Sequence, residues 1–376
     1  MTSPGLVRLH RYVALGLGAL VLLMGLTGAS LVFRDELTAV LTPAVKISSA
    51  PVAAGSYQRI LAAARRADPA LASLDIVPSP HAARADEVII YRHGLERYLF
   101  VDPHDGTVVA DSDRELLPFA MLFQLHRRFM LGEFGEYAVG VAGFALAFMA
   151  LSGLVLWWPR KLKQAFRIRW DGNRLAVSYD LHKCAGAVFA PFLLVNALIG
   201  ITMTFDEGSV ALVNAVSRRP PALVPAASSN ALASGRPLDQ IVATAERALP
   251  GGRVSRIAIR EGNAPVVVRK VLARENDTHG TNRVYVDAAS ASVLRVNTLA
   301  DLPPGNAMFE WTYPLHTGTL AGTPYRVLLV LAGLVPLLSL VTGLVVWRSR
   351  SARKRSPTPA ANRDRSIAHP ETLPRA

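Results

Sequence analysis

The chain has 376 residues, 51% of them hydrophobic, with a mean hydropathy of +0.28 and a formal charge of +13. That is too apolar for an ordinary soluble enzyme and too polar for a transporter built wholly in the bilayer. A single cysteine, Cys184, excludes a disulfide framework, a Cys-x-x-Cys site and an iron–sulfur ligand set, and reads as a small buried residue.

Residues 1–11 are a short basic start. Tyr12 to Phe33 carry no charge and open a span over 12–33, punctuated by Gly16, Gly18, Gly25 and Gly28. At about 1.5 Å per residue such a run crosses a bilayer core of about 30 Å. Its apolar part outlasts the roughly 7–15 residues of a cleavable signal, so it reads as a retained anchor. Residues 34–113 read as a small α+β domain. A helix is predicted over Tyr57–Ala67, and strands over Leu74–Val77, Glu87–Arg92 and Arg97–Asp102. A turn at Asp102-Pro103-His104-Asp105-Gly106 then leads into Thr107-Val108-Val109.

Residues 114–134, rich in Phe, suit a membrane interface and contain His126. A second span follows at 135–158, a basic loop at 159–181, and a third span at 182–205. A second α+β domain is expected over 206–310. Its entry is rich in Pro and Ser, its helix runs from Leu238 to Leu249, and its strands are Val254–Ile259, Val266–Leu272 and Arg283–Asp287. The segment 311–324 returns to the interface, 325–347 is the fourth span, and 348–376 reads as a disordered tail. The fold expected is thus a membrane α-helical four-span bundle with two small periplasmic α+β domains.

The chain is an internal duplication. His10 and His182 each precede a Gly by 18 residues (Gly28, Gly200) and a Phe by 23 (Phe33, Phe205). His126 and His316 each precede a Gly by 27 (Gly153, Gly343) and a Trp by 31 (Trp157, Trp347). Tyr285-Val286-Asp287 with Val293-Leu294 repeats Phe100-Val101-Asp102 with Val108-Val109.

Charge sets the orientation. With the N-terminus inside, residues 1–11, 159–183 and 348–376 hold 17 basic and 4 acidic residues, and the remainder holds 24 of each. The whole excess therefore sits in short cytoplasmic pieces. This implies a multi-pass protein with both termini in the cytoplasm, and argues against nucleic acid as the reason for the basicity.

On this topology His10 and His182 share one membrane face and His126 and His316 the other. Facing pairs of neutral imidazoles suit haem, whose iron takes one nitrogen on each axial side. With both positions filled, the chemistry left is electron transfer. Four histidines thus make two metal sites, and the absence of Cys-x-x-Cys-His makes the haem b-type and non-covalent. Arg11 and Lys183 on one face, and Arg127 and Arg128 on the other, adjoin the histidines and are candidates to pair haem propionates. Interfacial anchoring is the plainer reading of any one histidine. Zinc is a poor fit for two His per face, and proton relay is weaker still, because the stretches 12–33, 137–158, 184–205 and 327–347 carry no Asp, Glu, Lys or Arg. His81, His93, His104 and His279 are scattered and read as surface residues. Arg84, Arg92, Arg97, Arg269, Lys270 and Arg274 read equally well as solvated strand faces or as an anion-attracting surface.

Leu9-His10-Arg11-Tyr12, Gln124-Leu125-His126-Arg127, Tyr179-Asp180-Leu181-His182-Lys183 and Pro314-Leu315-His316-Thr317-Gly318 occur with Gly-Leu-Val-x-Trp endings at Trp157 and Trp347. Together these resemble the PepSY-associated transmembrane helix family, which includes iron-regulated inner-membrane proteins and ferrisiderophore reductases, over about residues 6–350. The resemblance implies a bacterial inner-membrane protein with two haems b and PepSY-like periplasmic domains. It would be a haem-dependent ferric reductase passing electrons to ferric siderophore, from a separate cytoplasmic protein or a membrane quinol. The alternative is a non-enzymatic PepSY-type membrane protein that binds or regulates a periplasmic partner.

Overall fold

The computed structural model describes residues 4–42, 45–47, 56–81, 83–92, 95–113, 117–158, 165–220, 222–229, 232, 236–272 and 280–355. His93, Arg274, His279, the first part of the basic loop and the tail from 356 onward lie outside them.

Among the described residues four helices are long and apolar enough to cross a membrane: α1 (Pro4–Leu31), α5 (Gly132–Trp157), α6 (Arg174–Thr204) and α10 (Gly322–Arg355). Their outward faces are apolar. Phe144, Leu151, Leu198 and Val341 are each more than half exposed, a cost in water that lipid removes. All four outrun the uncharged stretches. Helix α6 begins eight residues before His182, and residues 348–355 continue α10, because helical hydrogen bonds do not need to stop where the hydrocarbon does. Helix α1 packs beside α5 and α10, and α6 packs beside the same two. Duplicated helices therefore stand diagonally, α1 opposite α6 and α5 opposite α10, around a pseudo-twofold axis. The close crossing of α1 and α10 requires glycine, since a Cβ at Gly25 would stand 2.5 Å from the Gly333 carbonyl oxygen.

Among the described residues the strands are β1 (Ser73–Val77), β2 (Asp86–Arg92), β3 (Leu95–Val101), β4 (Val108–Asp111), β5 (Arg253–Ile259), β6 (Val266–Val271), β7 (Asn282–Val286) and β8 (Val293–Asn297). They form one antiparallel sheet in the order β4-β3-β2-β1-β5-β6-β7-β8. The two α+β units are thus halves of a single sheet, joined where β1 pairs with β5 through Leu74–Ile259, Asp75–Ala258 and Ile76–Ile257. The repeat holds in detail. Both β3–β4 and β7–β8 carry a register shift, and both turns close alike: Asp102 N donates to Thr107 O at 2.9 Å, Asp287 N to Ser292 O at 2.9 Å.

One face of the sheet packs on α3 (Tyr57–Ala67) and α8 (Leu238–Ala248). Ile60, Leu74, Ile76, Val88, Ile90, Ile241, Ile257, Val268 and Val284 form one core across both halves. The period-2 alternation places these residues together and sends Asp75, Glu87, Tyr98, Arg256, Arg269 and Arg283 to the other face. That face meets α4 (Pro118–Arg128), α9 (Pro304–Thr317) and α2 (Arg34–Leu41), with α7 (Asp206–Val216) beside α9.

Ion pairs fasten the sheet to the helices: Arg34 with Glu87, Arg127 with Glu96, and Arg269 and Arg283 with Glu310 of α9. At the seam, Asp75 of β1 accepts from Arg256 and Arg260 at 2.5 and 2.7 Å and from Tyr91 Oη at 2.9 Å. Burial pushes the Asp75 carboxyl up, but the two guanidiniums outweigh it and hold it below the ordinary carboxylate value.

Candidate functional site

The four histidines fall in two pairs, one at each end of the bundle. His126 ends α4 and His316 ends α9, both on the sheet side. Their ring centroids are 6.0 Å apart with planes inclined by 43°. His10 of α1 and His182 of α6 occupy the far side, within electrostatic range of each other. About 18 residues of α1 separate His10 from Gly28, against which His126 packs, which puts the two levels about 27 Å apart.

Every ring rests on a glycine of the neighbouring helix. A Cβ at Gly28 of α1 would stand 3.0 Å from His126 Cε1, and one at Gly343 of α10 3.4 Å from that of His182. The corresponding values are 3.7 Å for Gly153 of α5 against His10 and 3.8 Å for Gly200 of α6 against His316. Each imidazole is thus seated by a helix of the opposite type, and the spacings in the two halves that recur in sequence are the spacings of these seats.

The residue before the glycine fixes the tautomer. Ser152 Oγ lies 2.6 Å from Phe148 O and 2.7 Å from His10 Nδ1. Two oxygens that close need the hydroxyl proton between them, so the hydroxyl accepts from Nδ1–H. Thr27 repeats this, 2.7 Å from Leu23 O and 2.9 Å from His126 Nδ1. Thr342 Oγ1 is 2.6 Å from Leu338 O and 3.1 Å from His182 Nδ1, which also lies 3.0 Å from the Ser339 carbonyl oxygen. A carbonyl can only accept. In all three histidines the proton sits on Nδ1, leaving the Nε2 lone pair available. His316 differs: its Nδ1 is buried with no hydrogen-bond partner among the described residues.

The cations beside the histidines are engaged elsewhere, at least in part. Arg127 pairs with Glu96. Arg128 reaches Glu136 at 3.2 Å, and Lys183 reaches Asp180 at 3.4 Å. Arg11 lies over the Tyr12 ring, 5.3 Å from its centroid. The Nε atoms of Arg11 and Arg128 are nevertheless buried without a hydrogen-bond acceptor among the described residues.

The strand cations are structural. Arg97 pairs with Asp111 at 2.6 Å, Lys270 donates to Leu249 O at 2.6 Å, and Arg92 meets Asp68 at 3.4 Å. Cys184 is buried, with its thiol 3.7 Å from Ala165 O. Among the described residues no group of three or more His, Cys, Asp or Glu is arranged around a metal position. The histidines stand in pairs.

Residues 7–350 match the model of the PepSY-associated TM region. The chain belongs to this family. A comparison with curated proteins returns no match. The family match spans all four histidines, all four membrane helices and the whole sheet, so the duplicated body just described is the PepSY-associated TM region itself. The three hydroxyl partners were legible as a signal in the sequence, since Thr27-Gly28, Ser152-Gly153 and Thr342-Gly343 are the same hydroxyl–glycine pair. Arg34, Glu87 and Glu310, which tie the sheet to the histidine-bearing helices, carry no such mark.

Proposed function

We propose that this PepSY-associated protein holds two haems b, His10 and His182 ligating one and His126 and His316 the other. The reading places it in a bacterial inner membrane with both termini in the cytoplasm, passing electrons outward to a ferric siderophore. The observation that carries it is the His126–His316 pair. Two imidazoles sharing one metal, at about 2 Å per metal–nitrogen bond and about 1.1 Å from nitrogen to ring centre, have centroids roughly 6 Å apart. The rings stand at 6.0 Å. The Nδ1 hydrogen bonds of His10, His126 and His182 support the same reading, since they fix the tautomer a metal-bound histidine needs. The unsatisfied Nε groups of Arg11 and Arg128 suit an anionic propionate.

A haem held by His10 and His182, and one held by His126 and His316, would supply one-electron exchange. The chain's residues do the rest. Gly28, Gly153, Gly200 and Gly343 let the rings sit close to the helix backbones. The hydroxyls hold the rings in one orientation, and the uncharged spans insulate the path. One electron from a cytoplasmic protein or a membrane quinol reduces one Fe(III) of the siderophore to Fe(II). Hard oxygen donors hold Fe(II) less well, so the iron is released.

The test is a reduced-minus-oxidised absorption spectrum of the full chain purified from haem-replete cells. A low-spin b-type spectrum with about two haems per chain is expected. His10→Ala should remove one haem and His126→Ala the other. A folded, colourless protein refutes the reading. Two haems without release of ferrous iron from ferric siderophore refute only the substrate.

A further inference from the structure

The duplication places Ile199 where the first half has Thr27, since both stand immediately before the glycine under the sheet-side histidine (Gly28, Gly200). Isoleucine has no hydroxyl, and His316 Nδ1 is the one imidazole Nδ1 of the four left without a partner among the described residues. We infer that Ile199 makes the two iron sites unequal, holding the His126/His316 site at a higher reduction potential than a hydroxyl at that position would. This rests on the haem reading above.

The physical basis is the lean of the imidazole. An Nδ1–H given to an acceptor shifts electron density onto Nε2, which then favours the ferric over the ferrous state. At the far-side site both rings donate, His10 to Ser152 and His182 to Ser339 O and Thr342. At the sheet-side site only His126 donates, to Thr27. Neighbouring charge differs between the sites independently of Ile199, so the hydrogen-bond contribution is read from Ile199→Thr, which leaves every charge in place. Cations stand beside both sites, Arg11 and Lys183 at one and Arg127 and Arg128 at the other. Acids accompany both sets, Asp180 on the far side and Glu96 and Glu136 on the sheet side. One hydrogen bond of about 1 kcal/mol corresponds to about a fivefold bias between the oxidised and reduced forms. Ile199 and Thr27 are positioning residues that act through the histidines.

The experiment is a redox titration of the purified, haem-loaded chain followed by absorbance, with the two waves assigned from His10→Ala and His126→Ala. Ile199→Thr should move the sheet-side wave downward by about fivefold in its equilibrium and leave the other in place. Thr27→Val should move it upward, Ser152→Ala should raise only the far-side wave, and Ile199→Val should move neither. An Ile199→Thr protein in which neither wave or both waves shift overturns the inference. A chain that binds no haem overturns the functional reading and this inference together, whereas two haems whose waves do not respond to Ile199→Thr overturn this inference alone.

Discussion

Gly28 and Gly200 are equivalent in the duplication, yet replacing each by alanine should have opposite effects. A Cβ at Gly28 would lie 3.0 Å from His126 Cε1, with Nδ1 at 3.6 Å and Nε2 at 3.8 Å. Carbon atoms prefer about 3.5–4.0 Å, so the ring must retreat by about half an ångström. It cannot do so freely, because Nδ1 is tied to Thr27 at 2.9 Å. Overpacking costs about 1–3 kcal/mol, and the strained hydrogen bond adds up to about 1 kcal/mol. Removing a helical glycine returns about 0.5–1 kcal/mol. The net for Gly28→Ala is a loss of about 2 kcal/mol. At Gly200 the Cβ falls 3.8 Å from His316 Cε1, in ordinary contact, and only the helical gain remains. Thermal unfolding of the full chain in detergent, followed by tryptophan fluorescence, should give a lowered midpoint for Gly28→Ala and a midpoint at or above native for Gly200→Ala. Gly153→Ala should resemble Gly200→Ala, with its Cβ at 3.7 Å, and Gly343→Ala should fall between at 3.4 Å. Equal behaviour of Gly28→Ala and Gly200→Ala would refute the seating of the rings.

Two further predictions concern the sheet. Burial pushes the Asp86 carboxyl up to about 6, against the Ser79 N–H that it accepts at 2.8 Å. A raised carboxyl opposes folding once it must ionise, so its cost is absent below pH about 4 and grows as pH rises to about 6. Asp86→Asn keeps the acceptor and should flatten that slope, stabilising the protein at neutral pH by about 3 kcal/mol, as read by unfolding across pH. Ala291 sits in the tight turn after β7 at φ +56°, where the first half has Gly106 at φ +78°. Ala291→Gly should raise the unfolding midpoint, gaining about 1 kcal/mol from relief of the left-handed backbone.

The elements written in local chemistry were the legible ones. Helix Tyr57–Ala67 has the bounds its pattern implies, with Ser56 capping Arg59 N and Asp68 closing it. The strands follow their alternation to within two residues. The spans announce themselves by lacking charge, and the resemblance carried by the histidine motifs agrees with the family match. The pairing of β1 with β5 was not legible, because Asp75 and Ala258 are 183 residues apart and edge strands carry no label for their partner. Helices α2 and α7 were also missed, each being a short amphipathic continuation of a span. At the site, sequence placed the four histidines but not the acids. Glu96 and Glu136, which occupy Arg127 and Arg128, lie on other elements and become neighbours only through tertiary packing.

The shared sheet has a consequence for synthesis. When the ribosome has finished the first repeat, β2 covers one side of β1, while the other side shows bare amides and carbonyls until β5 is translated. A half-made molecule therefore carries a sticky border that a second half-made molecule could zip onto. Polypeptides truncated between the repeats should aggregate even though their apolar spans insert normally.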